Sequence, residues 1–179
     1  MTDLSESIDI SVGPEAPVDF QTDTGDLLLF LSGEAPIALT ELAEQCQGTP
    51  SPNRLKSLLS RRFDNAVRID QTKFVHVTDA AYSQLTRASK PYVKEAMEAL
   101  KEGKTSREDG DYETALPAMR RAYAPAAALQ ERFAATNTTH STVEKLQRTA
   151  ATYHDAAHKE ATKDSVNYLV LQAQQAESK

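Results

Sequence analysis

A mainly α-helical fold is predicted for this 179-residue chain, with three helices and a β-hairpin within residues 23–79 and an α-helical bundle with a long C-terminal helix over 80–179. Three observations carry that reading. Apolar residues recur at helical spacing through most of the chain, whereas period-2 alternation is confined to two short runs between Ala66 and Thr78. Trp is absent, aromatics make up 6% of residues and alanine is abundant, which favours helices packed through small side chains over a sheet sandwich. A hydrophobic fraction of 40% with a charged fraction of 26% is ordinary for a globular chain and excludes wholesale disorder.

Each element follows from its residues. Met1 to Thr22 is rich in Ser and Asp, broken by Pro14 and Pro17, and poor in large apolar side chains, so burial cannot offset the entropy of ordering it. A disordered acidic tail is expected over 1–22. Asp23 or Thr24 can cap a first helix whose run Leu27-Leu28-Leu29-Phe30-Leu31 is expected to stop at Ser32-Gly33. After the Pro36 break, Thr40-Glu41-Leu42-Ala43 reads as the start of a second helix reaching Cys46. Gly48, Pro50 and Pro52 impose a turn. Ser51 can cap a third helix with Pro52 in its first position, and Leu55, Leu58, Leu59 and Phe63 fall on one face, expected to point inward. In the segments Ala66 to Asp70 and Phe74 to Thr78, Val67, Ile69, Val75 and Val77 alternate with Arg68, Phe74 and His76. They predict two strands joined through the polar turn Gln71-Thr72-Lys73.

Charge is unevenly spread. The chain carries a net charge of -6, yet Met1 to Phe30 holds seven acids and no Lys or Arg. Between Gln47 and Lys90 eight bases face three acids, an excess of five positive charges, so an acidic protein contains one basic stretch.

The order of helix, short helix, turn, amphipathic helix and hairpin over Thr24 to Thr78, about a third of the chain, resembles the winged helix-turn-helix family. Arg54-Leu55-Lys56-Ser57-Leu58-Leu59 followed by Val67-Arg68-Ile69 is also similar to LOTUS-type winged helices, which are associated with RNA. The resemblance rests on element order and spacing, and the short turn Gly48-Thr49-Pro50 departs from it. It implies a nucleic-acid-binding regulator, DNA favoured over RNA. Asn53 and Arg54 at the start of the third helix are suited to pair adenine and guanine bidentately. Lys56, Ser57, Ser60 and Arg61 occupy its outward or flanking positions, and Arg68 with Lys73 on the wing would meet phosphate or the adjacent minor groove. The competing reading is a non-enzymatic adaptor whose two modules dock proteins. The acidic tail is either a solubilising segment or a phosphate mimic that folds back on the basic face.

No strand signal follows Ala80. A helix begins near Asp79 and is expected to be interrupted by Pro91, with Tyr92, Ala96 and Leu100 continuing its apolar face to Gly103. Gly110-Asp111-Tyr112-Glu113-Thr114-Ala115-Leu116, with Ala122 and Pro125, resembles the second helix of a tetratricopeptide repeat over about 30 residues. A solenoid needs about three such units and only one is visible, so a three-helix bundle of the MIT-like kind fits better. A last helix is expected from Ser141 to Ala176, too long for a small bundle to cover. Its apolar end, Tyr168-Leu169-Val170-Leu171, is the expected partner-binding site, and a homodimer is the preferred occupant because it would suit paired half-sites.

Chemistry is sparse. His154 and His158 stand one turn apart, the spacing of helical zinc sites, with Asp155 where a metalloprotease would carry Glu. That shorter acid reaches a bound water poorly and no third ligand follows, so no metal and no other cofactor is expected. There is no Gly-rich phosphate loop, G-x-S-x-G or Cys-x-x-Cys, and hence no expectation of an enzyme or of catalytic residues. Cys46 stands alone and reads as a buried core residue. The N-terminus is acidic where a signal peptide needs bases, and no apolar run approaches the ~18 residues of a membrane span. The expectation is a cytoplasmic protein with no membrane partner.

Overall fold

The computed structural model describes residues 12–14, 16 and 21–177. Among them lie six α-helices and one small sheet, in the order α1 (Thr24–Glu34), β1 (Ile37–Ala38), α2 (Leu39–Gln45), α3 (Pro52–Phe63), β2 (Val67–Ile69), β3 (Phe74–Val77), α4 (Tyr82–Glu108), α5 (Tyr112–Ala134) and α6 (Ser141–Glu177). The fold is mainly helical and ends in the long helix.

Helix α1 is the centre. The Asp23 carboxylate accepts a hydrogen bond from the Gly25 amide at its N-terminus, and Leu27 to Ser32 are all buried. A helix covered all round must sit inside the core, and α1 packs against α4, α5 and β3. It runs past Ser32-Gly33, where a stop was expected. The Ser32 hydroxyl donates to the Leu28 carbonyl at 2.7 Å, and a Cβ on Gly33 would meet the Arg132 guanidinium at 3.2 Å, so this glycine serves close packing and not termination.

Helix α3 is capped by Ser51, whose hydroxyl accepts from the Arg54 amide, with Pro52 at its first position. Leu55, Leu59 and Phe63 are buried, whereas Leu58 is half-buried at the edge of the apolar stripe and not fully inward. The sheet is antiparallel in the order β1-β3-β2, with Ile37 opposite Val75, and Val67 opposite Val77. Strand β1 was not foreseen, because two residues carry no period-2 signal. Val67, Val75 and Val77 face the core while Arg68 and His76, paired across β2 and β3, lie on the other face.

Helix α4 continues through Pro91, contrary to the expected interruption, and α5 continues through Pro117 and Pro125. Pro91 is exposed, so the Arg87 carbonyl deprived of its amide partner lies on the solvent side, and packing along the rest of the helix outweighs the local loss. Small residues set the spacing of the bundle. Ala96 and Ala99 of α4, Ala115, Ala118 and Ala122 of α5, and Ala150 and Ala157 of α6 are buried. A Cβ on Gly103 would come within 2.8 Å of the Met119 side chain, so α4 and α5 approach here as closely as glycine allows.

One hydrophobic core runs from α1 through the sheet to Ala126, Leu129 and Phe133 of α5 and Val143 and Leu146 of α6. Phe133 stacks obliquely with Tyr82 and His140 at ring-centroid distances of 5.5 and 4.8 Å. Arg132 of α5 donates to the Leu29 carbonyl at 3.1 Å, and the Tyr92 hydroxyl meets Asp26 at 3.3 Å. Val12 corrects the tail reading at one point. It is 1% exposed and belongs to the core, with Gly13 at φ +92° pressed against α1, because one valine behind a turn-forming glycine is enough to fill a groove whose walls are already built. Residues 1–11, 15 and 17–20 of that segment lie outside the described residues.

The continuity of the core has a measurable consequence. Phe133→Ala should lower the unfolding free energy by about 3–5 kcal/mol in a single cooperative denaturant transition, while Lys159→Ala, at an exposed position of α6, should leave the midpoint within error. Equal losses for the two variants would contradict this account.

Candidate nucleic-acid interface

The apolar side of α3 decides what its other side presents. Leu55, Leu59 and Phe63 close on Leu27 and Leu31 of α1 and on Leu42 and Cys46. Burial pushes the Cys46 thiol up from its ordinary value, consistent with an inert packing role. With that side fixed, Asn53, Arg54, Lys56, Ser57, Ser60 and Arg61 are all exposed. Asn53 and Arg54 stand in the first turn, which the Ser51 cap holds. The Ser57 hydroxyl donates to the Asn53 carbonyl and Arg61 Nε donates to the Ser57 carbonyl at 3.3 Å, so Arg61 lies back along the helix. Arg62, counted in the same basic stretch, turns inward instead: its guanidinium donates to the Thr24 hydroxyl at 3.0 Å and to the Thr22 carbonyl.

The hairpin is organised by one carboxylate. Asp70 accepts from the Phe74 amide at 3.0 Å, the Thr72 amide at 2.8 Å and the Thr72 hydroxyl at 2.7 Å, and pairs with His76 Nε2 at 2.7 Å. These contacts, led by the Phe74 amide and then His76, hold the Asp70 carboxyl well below the usual carboxylate range. Lys73 adopts φ +64° at the tip, donating its amide to the Asp70 carbonyl at 3.1 Å. Its own carbonyl accepts from the Leu39 amide at 2.9 Å, which ties the tip to the start of α2. The Lys73 and Arg68 side chains are exposed. Sequence reading found the turn but not this network, for which Asp70 two residues before Thr72 was the available sign.

Among the described residues no carboxylate lies within ion-pair distance of Arg54, Lys56, Arg61, Arg68 or Lys73. Three arginines of the bundle differ. Arg107 grips Glu160 at 2.6 Å, Arg121 meets Glu102 at 2.8 Å, and Arg148 meets Glu144 at 2.6 Å. Helix α3 packs on β2, so the two groups of unpaired cations sit on touching elements.

The remaining candidates are dispersed. Tyr168 and Leu169 are 62% and 63% exposed, Val170 is exposed with them, and the Leu171 side chain lies outside the described ones. His154 and His158 stack at 6.5 Å but diverge in setting, His154 fully buried and His158 exposed. Among the described residues no group of three or more His, Cys, Asp or Glu is placed to hold a metal ion. Neither ring nitrogen of His154 has a protein hydrogen-bond partner, and Asp155 at 3.9 Å is too distant to serve. Burial first, and then Arg120, lowers the His154 pKa, with Asp155 acting in the opposite sense and His158 in the same sense as Arg120. Among the described residues no helix is long and apolar enough to cross a membrane. No family model, no curated protein and no solved structure matches the chain.

Two measurements test the local physics. Asp70→Ala should accelerate hydrogen exchange of the Thr72 and Phe74 amides while leaving α5 amides protected; unchanged exchange would remove Asp70 from its organising role. For His154 the unfolded chain takes up a proton near the ordinary imidazole value of ~6.5 and the folded chain resists it. Stability is therefore intact above that value and lost as pH falls through it toward the depressed folded value. The melting temperature should drop between about pH 7.5 and 5.5, and His154→Leu should flatten the drop.

Proposed function

We propose that residues 24–78 act as a winged helix that binds nucleic acid, duplex DNA in preference to RNA, and that the chain is a non-enzymatic regulatory protein. The observation that carries this reading is the set of five exposed cations on α3 and the hairpin, none ion-paired among the described residues, beside the exposed Asn53, Ser57 and Ser60 of α3. Three short helices followed by a hairpin, with the amphipathic third helix exposing its polar side, support the winged form. Phosphates take the lysines and the wing, and base edges take Asn53 and Arg54.

Helix α6 supplies a means of pairing two such surfaces. Its 37 residues span roughly 55 Å, against roughly 35 Å for the 23 of α5. Residues 162–170 are exposed throughout, Val166, Leu169 and Val170 among them. A second copy laid on this end would cover the apolar side chains and bring two winged units to one duplex. A single feature favours docking of a protein on the wing instead: Phe74 leaves 40% of its surface exposed beside Lys73.

Fluorescence anisotropy of the full chain with duplex DNA, single-stranded DNA and RNA separates these readings. With about four to six phosphate contacts, log affinity for duplex should fall against log salt with a slope of roughly -4 to -5. Arg54→Ala with Arg61→Ala should weaken binding at least about tenfold without changing the sedimentation coefficient. A flat salt response, or full binding by the double variant, would sink the proposal.

A further inference from the structure

Helix α4 carries a second basic surface that the nucleic-acid reading does not use. Lys90, Lys94, Met97, Lys101 and Lys104 recur at spacings of four, three, four and three, which places them in one stripe along α4. That stripe borders two adjoining grooves of about 610 and 470 Å³ that share Met97 and Lys101, the second of them walled on its far side by α6. The floor is apolar, with Val93 and Met97 in the first groove and the half-buried Leu100 in the second, where the buried Leu146 lies beneath it. Met97 is 54% exposed, an unbranched side chain held open to solvent on the rim of a cavity.

The charges around this floor are nearly all of one sign. Lys145 adds a fifth ammonium group from α6, and Glu98, 3.9 Å from Lys94, is the single carboxylate lining either groove. Lys104 rests over the Tyr153 ring at 4.6 Å. Among the described residues no carboxylate pairs with Lys90, Lys101 or Lys145.

We propose that this groove binds an acidic amphipathic helix of another protein. The occupant's apolar side chains, one per turn, would lie over Val93, Met97 and Leu100, and its flanking Asp and Glu would face the lysine rows. From Lys90 to Lys104 the stripe rises about 21 Å, the length of a helix of about four turns. Helical form follows from the walls: α4, which lines both grooves, and α6, the far wall of the second, are helices whose backbone groups are already bonded, and neither groove offers a strand edge to add an extended peptide. A nucleic acid fits less well. The line a phosphate backbone would follow is occupied by Met and Leu, no Phe, Tyr or Trp lines the grooves for a base to stack on, and the cations are all lysine, none of them an arginine fork. This inference stands apart from the reading of α3, and its test is arranged so that the two fail separately.

The probe is a synthetic 16-residue helix-forming peptide with leucines at i, i+3, i+7 and i+10 and glutamates flanking them, labelled for anisotropy and titrated into the full chain. A scrambled peptide of the same composition, with leucines spread round the helix, is the control. The ordered peptide should bind at least about tenfold more tightly than the scrambled one and should move the Met97 methyl resonance. Met97→Asp with Lys101→Glu should abolish that preference, whereas Arg54→Ala with Arg61→Ala should leave it intact. Because Met97 and Lys101 are surface residues, circular dichroism should be unchanged, and the methyl shift in the unaltered protein gives a readout that needs no variant. Equal binding of the two peptides, or displacement of the ordered peptide from Met97 by duplex DNA, would overturn the proposal. So would peptide binding that appears only after residues 1–11 are removed, which would give the groove to the chain's own acidic segment.

Discussion

The sheet, α2, α3 and the adjoining parts of α4 and α5 are arranged around the burial of α1. Five consecutive large apolar side chains, Leu27 to Leu31, cannot be covered by one partner, because successive residues on a helix point 100° apart. The three-stranded sheet, α2 with α3, and α4 with α5 therefore close on different sides of one short helix. Each of those layers acquires its orientation from α1, and the surface each presents outward is what remains after its apolar side has been spent. The exposure of Arg54 and Lys56 is in this sense a consequence of Leu55 and Leu59 being buried, not an independent feature.

The same constraint explains which parts of the molecule were legible in the sequence. Helix α3 was readable because its stripe, its Ser51 cap and Pro52 agree at every level, and α6 because its start at Ser141 follows a polar connection after an alanine-rich helix. The hairpin was readable through alternating valines. What escaped was whatever depends on a partner distant in sequence. Strand β1 exists because β3 offers it a register, and Val12 is buried because α1 and its neighbours leave space for it. Pro91 differs for the opposite reason: the local rule predicts a break there, and tertiary packing along a 27-residue helix outweighs it. Gly33 belongs with it, a residue read as a stop that is needed for the approach of Arg132.

The candidate interface was legible in its residues and not in its support. Basic and polar positions on α3 follow from helical period alone, and the structure places all six of them outward. The four contacts that fix Asp70, and the bond from Leu39 to the Lys73 carbonyl that anchors the hairpin tip to α2, require knowing how the turn lies in space. They matter because a charged side chain on a loose turn loses rotamer and backbone freedom on binding, whereas one on a fixed turn has lost the backbone part already.

A net charge of -6 would by itself argue against polyanionic partners. At physiological salt, though, an exposed charge is felt over about 8 Å, so a ligand responds to the local cluster and hardly to the total. The pairing pattern then becomes the informative quantity. Arg107 and Arg121 are matched to glutamates across the bundle, Arg148 to Glu144 one turn away on α6, and Arg62 and Arg132 are spent on carbonyl and hydroxyl oxygens of or near α1. Among the described residues, two clusters of cations lack a carboxylate partner and lie together in the fold: Arg54, Lys56, Arg61, Arg68 and Lys73 on α3 and the hairpin, and Lys90 and Lys101 of α4 with Lys145 of α6. The first is surrounded by hydrogen-bonding side chains and the second by methionine and leucine. Equal in sign, they differ in the solvent each must give up, and that difference is the ground for proposing hydrated phosphate for the first and carboxylates carried on an apolar helix for the second.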